Sequence, residues 1–101
     1  MDRRLKLHQE LVEILGSDNV YFQPPASLVM KYPCIVYNRD GINPQFASNK
    51  PYKLSKEYSV TVIDRKPDSK IAEQLAELPT CRHTSYFVSD NLNHDVFTLY
   101  Y

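Results

Sequence analysis

Glu57-Tyr58-Ser59-Val60-Thr61-Val62-Ile63-Asp64 is the stretch whose reading decides the fold. Tyr58, Val60 and Val62 alternate with Glu57, Ser59 and Thr61, so a period of two sends one set to a packed face and the other to water. This predicts one long strand from Tyr52 to Arg65. A half-polar strand of that kind belongs to an antiparallel hairpin, because a strand in a parallel sheet is covered on both faces and reads as continuously apolar. Its mate is upstream: Tyr32-Pro33-Cys34-Ile35-Val36-Tyr37-Asn38 is apolar on both faces, the pattern of a central strand. Residues 40–51 between them carry Gly41, Pro44, Pro51 and two asparagines, and are expected to form a long irregular loop. Phe46 is its one aromatic ring. It either tucks onto the core or meets a partner, and the pinning a loop of this length needs favours the tuck.

Outward from this hairpin the pattern becomes helical. Leu7, Leu11, Ile14 and Leu15 share one face of a helix over residues 3–15, with Leu5 and Val12 widening it. Gly16 stands where a left-handed terminating residue is wanted. Val20-Tyr21-Phe22-Gln23 predicts a short or edge strand, because Pro24-Pro25 has no N–H to donate. After the long strand, Pro67-Asp68-Ser69 opens a second helix, capped by Asp68 or Ser69. Ile71, Ala72, Leu75, Ala76 and Leu78 form its buried stripe, and Pro79 stops it. Residues 80–88 and 94–101 then predict a second hairpin around Ser89-Asp90-Asn91-Leu92-Asn93. The expected fold class is α+β: a mostly antiparallel sheet of four to five strands with two helices packed on one face. The other face would hold Ser59, Thr61, Thr84, Thr98 and several tyrosines, as a docking surface or a wet one.

With 101 residues the chain holds one hydrophobic core, so a single domain over residues 1–101 is expected. Its 43% apolar and 24% charged residues are ordinary for a folded soluble domain, and no apolar run approaches the ~20 residues that span a bilayer. The basic start, Arg3-Arg4, runs directly into a patterned helix without a signal-peptide core, so synthesis in a cytoplasm is expected. Cys34 and Cys81 read as reduced, largely buried thiols. With 12 basic and 12 acidic residues there is no net field to attract nucleic acid or anionic lipid. A local surplus exists: Arg39, Lys50, Lys53, Lys56, Arg65 and Lys66 face only Asp40, Glu57 and Asp64 in the same stretch. With two glycines, Gly16 and Gly41, a phosphate-cradling glycine loop is excluded. The eight tyrosines suit half-buried strands and subunit interfaces.

Three chemical readings each have a bland alternative. Cys81-x-His83 puts two potential ligands on one strand face with one residue between them, with Cys34 and His94 as further conceivable ligands, but the usual knuckle pairs have two to four residues between their ligands and come in two sets. Ser85 or Cys81 could be combined with His83 or His94 and Asp90 or Asp95, yet none sits in a nucleophile signature. Tyr52-Lys53-Leu54-Ser55-Lys56-Glu57-Tyr58 interleaves lysines with rings as single-stranded nucleic-acid binders do, but edge-strand lysines that deter promiscuous pairing read identically. The sequence therefore predicts no enzyme, no metal and no cofactor. A protein that works by fitting against others is the expectation, with a nucleic-acid binder or adaptor as the rival from another class.

Val20-Tyr21-Phe22-Gln23-Pro24-Pro25, Tyr32-Pro33-Cys34-Ile35-Val36-Tyr37, Tyr58-Ser59-Val60-Thr61-Val62-Ile63-Asp64 and the ending from Asp90 to Tyr101 together resemble small neck and tail-completion proteins of long-tailed bacteriophages. The resemblance covers nearly the whole chain as an order of elements: helix, Tyr-Pro strand, long loop, strand ending in Asp, helix and closing hairpin. It implies a virion protein at the head-proximal tail end, a tail-terminator subunit whose hexameric ring ends the tail tube and joins it to the head. A head–tail connector or stopper of the same neck is the alternative. Implied partners are further copies of the chain, the tail tube protein, the connector proteins and DNA passing without sequence recognition, with no membrane. Implied subunit contacts are Asp40, Gln45, Phe46, Lys50, Tyr52, Lys53, Lys56, Tyr58, Arg65, Lys66 and Tyr101.

Overall fold

In the computed structural model, residues 3–47 and 50–101 are described, with side chains described for 3–40 and 56–101. Leu7 and Leu11, one helical turn apart, are fully buried on the inner face of α1 (Arg3–Leu15). Gly16 ends the helix at φ +81°, its N–H donating to the Val12 carbonyl at 2.8 Å. This is the left-handed position a side chain would strain. The apolar face is narrower than expected, since Leu5 is 44% exposed.

Five strands form one sheet in the order β1-β2-β3-β5-β4. β1 (Val20–Phe22) is an edge strand as expected, and it runs parallel to β2 (Cys34–Ala47) in an otherwise antiparallel sheet. β2 pairs with β3 (Lys50–Asp64), β3 with β5 (Leu92–Tyr100), and β5 with β4 (Cys81–Ser89), all antiparallel. The β4–β5 turn is tighter than a five-residue loop: Asp90 and Asn91 take φ +53° and +63° between strands that end at Ser89 and resume at Leu92. Two successive left-handed residues match the twist of a hairpin, and Asp and Asn tolerate them best after glycine.

Between β3 and β4 lies α2 (Lys70–Ala76), where Ser69 rather than Asp68 is the N-cap and its Oγ accepts from the Ala72 N–H at 3.4 Å. Leu75 is fully buried and Ile71, Ala72 and Leu78 pack at the core's margin, while Ala76 is exposed. Both helices cover the same sheet face. There Leu7, Leu11 and Leu75 join Val20, Ile35, Tyr37, Tyr58, Val60, Val62, Phe97 and Leu99 in one core. Tyr37 is its hub, with ring centroids 4.9 Å from Phe22 and 6.0 Å from Tyr58. Its hydroxyl lies 2.8 Å from His8 Nδ1.

The main correction concerns residues 40–51. They are not an irregular loop: Gly41 to Ala47 and Lys50 to Glu57 continue the β2–β3 ladder, with register shifts after Arg39 and after Gln45. Proline is tolerated here because over residues 43–47 and 50–55 the ladder has no third strand that would need the N–H it lacks. The expected tuck of Phe46 concerns a side chain outside the described set.

Candidate assembly surface

β5 pairs with β3 only from Glu57 onward, and β1 pairs with β2 only from Ile35 to Tyr37. The chain's last residue adds backbone bonds between Tyr101 and Lys56 in both directions, at 3.0 and 3.2 Å. Beyond that point, residues 43–47 and 50–55 are paired with each other and with no other strand. They form a two-stranded arm leaving the sheet, in a molecule 48 Å along its longest axis and 25 × 23 Å across. Residues 41–55 contain Lys50 and Lys53 and no acidic residue.

Seven of the expected contact residues sort onto this arm or its root, Lys56 at the root in register with Ile42. Gln45 pairs in register with Lys53, Phe46 with Pro51 and Ala47 with Lys50, while Tyr52 falls at the irregularity in the ladder. Asp40 is exposed at the shift where the arm begins. Their convergence on one projecting element is a product of the ladder. The others lie elsewhere. Arg65 and Lys66 are exposed in the turn after β3, where Asp64 Oδ1 accepts from the Lys66 N–H at 3.1 Å and the Arg65 carbonyl accepts from Asn93 Nδ2 at 3.2 Å. Tyr101 is tied down, its hydroxyl donating to Glu10 Oε1 at 3.3 Å and its ring 5.9 Å from the Arg3 guanidinium. Tyr58 is a correction: it is 1% exposed on the packed face of β3, in the core, and offers no contact to a neighbour.

At the arm's root the core face carries a second feature. Arg4 of α1, Phe22 and Gln23 of β1's end, Arg39 of β2, and Lys56 and Tyr58 of β3 line a cavity of about 270 Å³. Arg4 is stacked over Phe22 at 4.4 Å, and its charge opposes the rise that burial causes in the Tyr37 pKa. Gln23, at φ +45°, accepts the Arg39 N–H on its Oε1 at 3.2 Å.

The sheet face away from the helices carries Ser59, Thr61 and Thr98 as expected, with Tyr100 donating to Glu57 Oε1 at 3.0 Å. Thr84 falls at a bulge in β4 and donates to the Val96 carbonyl. This face is not bare, since Cys34 and Ile63, paired across it, are 0% and 6% exposed. The far edge strand β4 is exposed from Arg82 to Ser89. Tyr86, Phe87 and Val88 are 46%, 47% and 59% exposed, and the strand contains no lysine or proline. Sequence reasoning missed it because alternation alone does not tell an edge from a centre; its signal was the absence of the usual edge-blocking residues.

The chemical constellations do not converge. Cys81 and His83 pair with Leu99 and Phe97 on the helix-covered face, whereas Cys34 and His94 flank Ile63 on the opposite one. Among the described residues no three His, Cys, Asp or Glu side chains cluster as metal ligands. His83 Nε2 does lie 3.0 Å from Asp95 Oδ1, with the imidazole edge-on to Phe97 at 5.1 Å. Ser85 points to the other face, and burial pushes the Cys81 thiol up to about 11, opposite to an activated nucleophile. No helix among the described residues is long and apolar enough to cross a membrane. No family model matches the chain, and no curated protein and no solved structure matches it significantly.

Proposed function

We propose that this chain is a structural virion subunit of the tail-terminator or tail-completion type, working by ring assembly at the head-proximal end of a phage tail. The observation that carries the reading is the arm. A two-stranded ladder is marginal by itself in water, so one that leaves its sheet gains most by lying on another chain. The exposed apolar edge of β4, far from the arm in strand order, supplies a second unpaired surface. Two different contact surfaces on one subunit make head-to-tail contacts, which close into rings when the rotation between neighbours divides a full turn. The resemblance in element order names the tail and a six-membered ring.

Light scattering coupled to size exclusion, followed by electron microscopy of the purified protein alone and mixed with tail tubes, tests this. Closed rings seated at one tube end are expected. Trimming residues 43–55 to a two-residue turn should leave a folded monomer that no longer caps tubes. A monomer at all concentrations that also ignores tube ends would overturn the assembly reading, and antibody labelling absent from the head-proximal tail end of particles would overturn the location.

A further inference from the structure

The cavity at the root of the arm brings three cations together from three elements: Arg4, Arg39 and Lys56. None of the described lining residues is acidic. β3's period of two sends Glu57, the nearest carboxylate in sequence, to the other face, where it is engaged by Tyr100. Residues 41–55 contain no acidic residue that could complete the lining, and Asp2 is the one acidic residue outside the described set. Neither Arg39 nor Lys56 makes an ion pair with a described carboxylate.

Like charges around a half-buried cavity repel, and the repulsion grows as water is excluded. An anion reverses the sign. We propose that this cavity is a binding site for a phosphoryl group. Arg39 and Lys56, with the N–H donors that Arg4 has to share beside them, outnumber the single charge and two oxygens of a carboxylate, and suit a tetrahedral dianion with three or four acceptor oxygens. The surroundings fit that use. Arg4 is held in orientation by Phe22 beneath it, and a guanidinium has five N–H donors to share. Gln23 spends its oxygen on the Arg39 N–H, which leaves its amide NH₂ as a neutral donor on the cavity wall. The left-handed backbone at Gln23 and the ladder shift after Arg39 both fall on this lining, where local geometry is bent to aim side chains. The phosphoryl group is that of a phosphate monoester; a nucleic-acid backbone phosphodiester, with one charge and two free oxygens, meets the same objection as a carboxylate. The site does not depend on the ring reading.

The test is a titration of the full chain at constant ionic strength with inorganic phosphate, with acetate, and with a short single-stranded oligonucleotide, followed by amide and arginine side-chain NMR. Saturable shifts confined to Arg4, Gln23, Arg39, Lys56 and their neighbours are expected with phosphate in the millimolar range or below, and not with acetate. Arg39→Gln and Lys56→Gln should each weaken binding about tenfold or more. Arg65→Gln/Lys66→Gln, a larger charge change outside the cavity, should leave it unchanged. Phosphate binding without oligonucleotide binding supports the site; oligonucleotide binding on the same residues, weakening steeply with salt, would overturn the assignment to a phosphate monoester. Equal response to acetate, shifts scattered over all lysines, or retention in both cavity variants would overturn the site, and none of these outcomes bears on whether rings form.

Discussion

Tyr37→Phe removes one oxygen from the centre of the core and leaves the ring in place. The Tyr37 side chain is fully buried, and its hydroxyl reaches His8 Nδ1 at 2.8 Å across the α1–β2 contact. With neutral His8 the hydroxyl is the donor and Nδ1 the acceptor. Burial and the neighbouring Arg4 both lower the His8 pKa, which keeps that acceptor available at neutral pH. A hydrogen bond of this kind contributes ~1 kcal/mol net. His8 is only partly buried, so water can reach its ring and the penalty for an orphaned acceptor is partly recovered. The ring contacts with Phe22 and Tyr58 survive, so no cavity term is added. The expected loss is therefore about 1 kcal/mol, seen as a lower urea midpoint with unchanged slope, or a Tm lower by roughly 4–8 °C for a domain of this size. Tyr37→Leu, which also removes two aromatic pairs and leaves unfilled volume, should cost roughly 3 kcal/mol or more. A double-mutant cycle with His8→Ala should place most of the Tyr37→Phe loss in the coupling. A Tyr37→Phe loss above 3 kcal/mol, or a coupling near zero, would refute this account of the hub.

Lowering the His8 pKa makes the folded chain bind fewer protons than the unfolded chain below pH 6.5, so stability is retained above that value and lost as pH falls through the folded pKa. Urea midpoints at pH 5 and 7.5 should show the decline, and His8→Gln should flatten it. Burial raises both Cys34 and Cys81 to about 11, leaving on the order of a thousandth as thiolate at pH 8. Iodoacetamide should therefore label native protein very slowly, Cys34 slowest of all, and both thiols promptly in denaturant. At the β4–β5 turn, Asn91→Gly should be neutral or stabilising by a few tenths of a kcal/mol, whereas Asn91→Val should cost ~1–2 kcal/mol because a β-branched residue resists φ +63°. Thermal melts of the two variants check this.

The elements legible in the sequence were those whose periodicity reports their own packing. α1 was read to its ends because Leu7 and Leu11 face the core and Gly16 stops the helix. The alternation of Tyr58, Val60 and Val62 likewise gave β3 its buried face, and the same alternation argues against Tyr58 as a contact residue. Strand order was not legible: that β5 lies between β3 and β4 depends on pairings far apart in sequence, and the parallel partnership of β1 with β2 leaves no local trace. The cavity was invisible for the same reason, since Arg4, Arg39 and Lys56 meet only after α1, β2 and β3 are assembled.

The misread stretch shows why function and legibility part company here. Residues 43–47 and 50–55 form a ladder, yet they read as a loop because a two-stranded ribbon outside the sheet has no covered face to impose alternation. In a core strand the sequence records what the chain buries against itself. In the arm the sequence mixes lysines and prolines with Phe46, Tyr52 and Leu54, without the alternation a buried face would impose. If the arm lies on a neighbouring subunit, the complementary apolar or acidic pattern belongs to the receiving surface rather than to the arm. The exposed Tyr86-Phe87-Val88 edge is an apolar surface, among the described residues, open to such a role. Val88→Lys, which places a charge on that edge without disturbing the core, should then weaken association while leaving the monomer's melting temperature within about 2 °C, since exposed substitutions usually change stability by less than ~0.5 kcal/mol. Unchanged association in sedimentation measurements would place the receiving surface elsewhere on the fold.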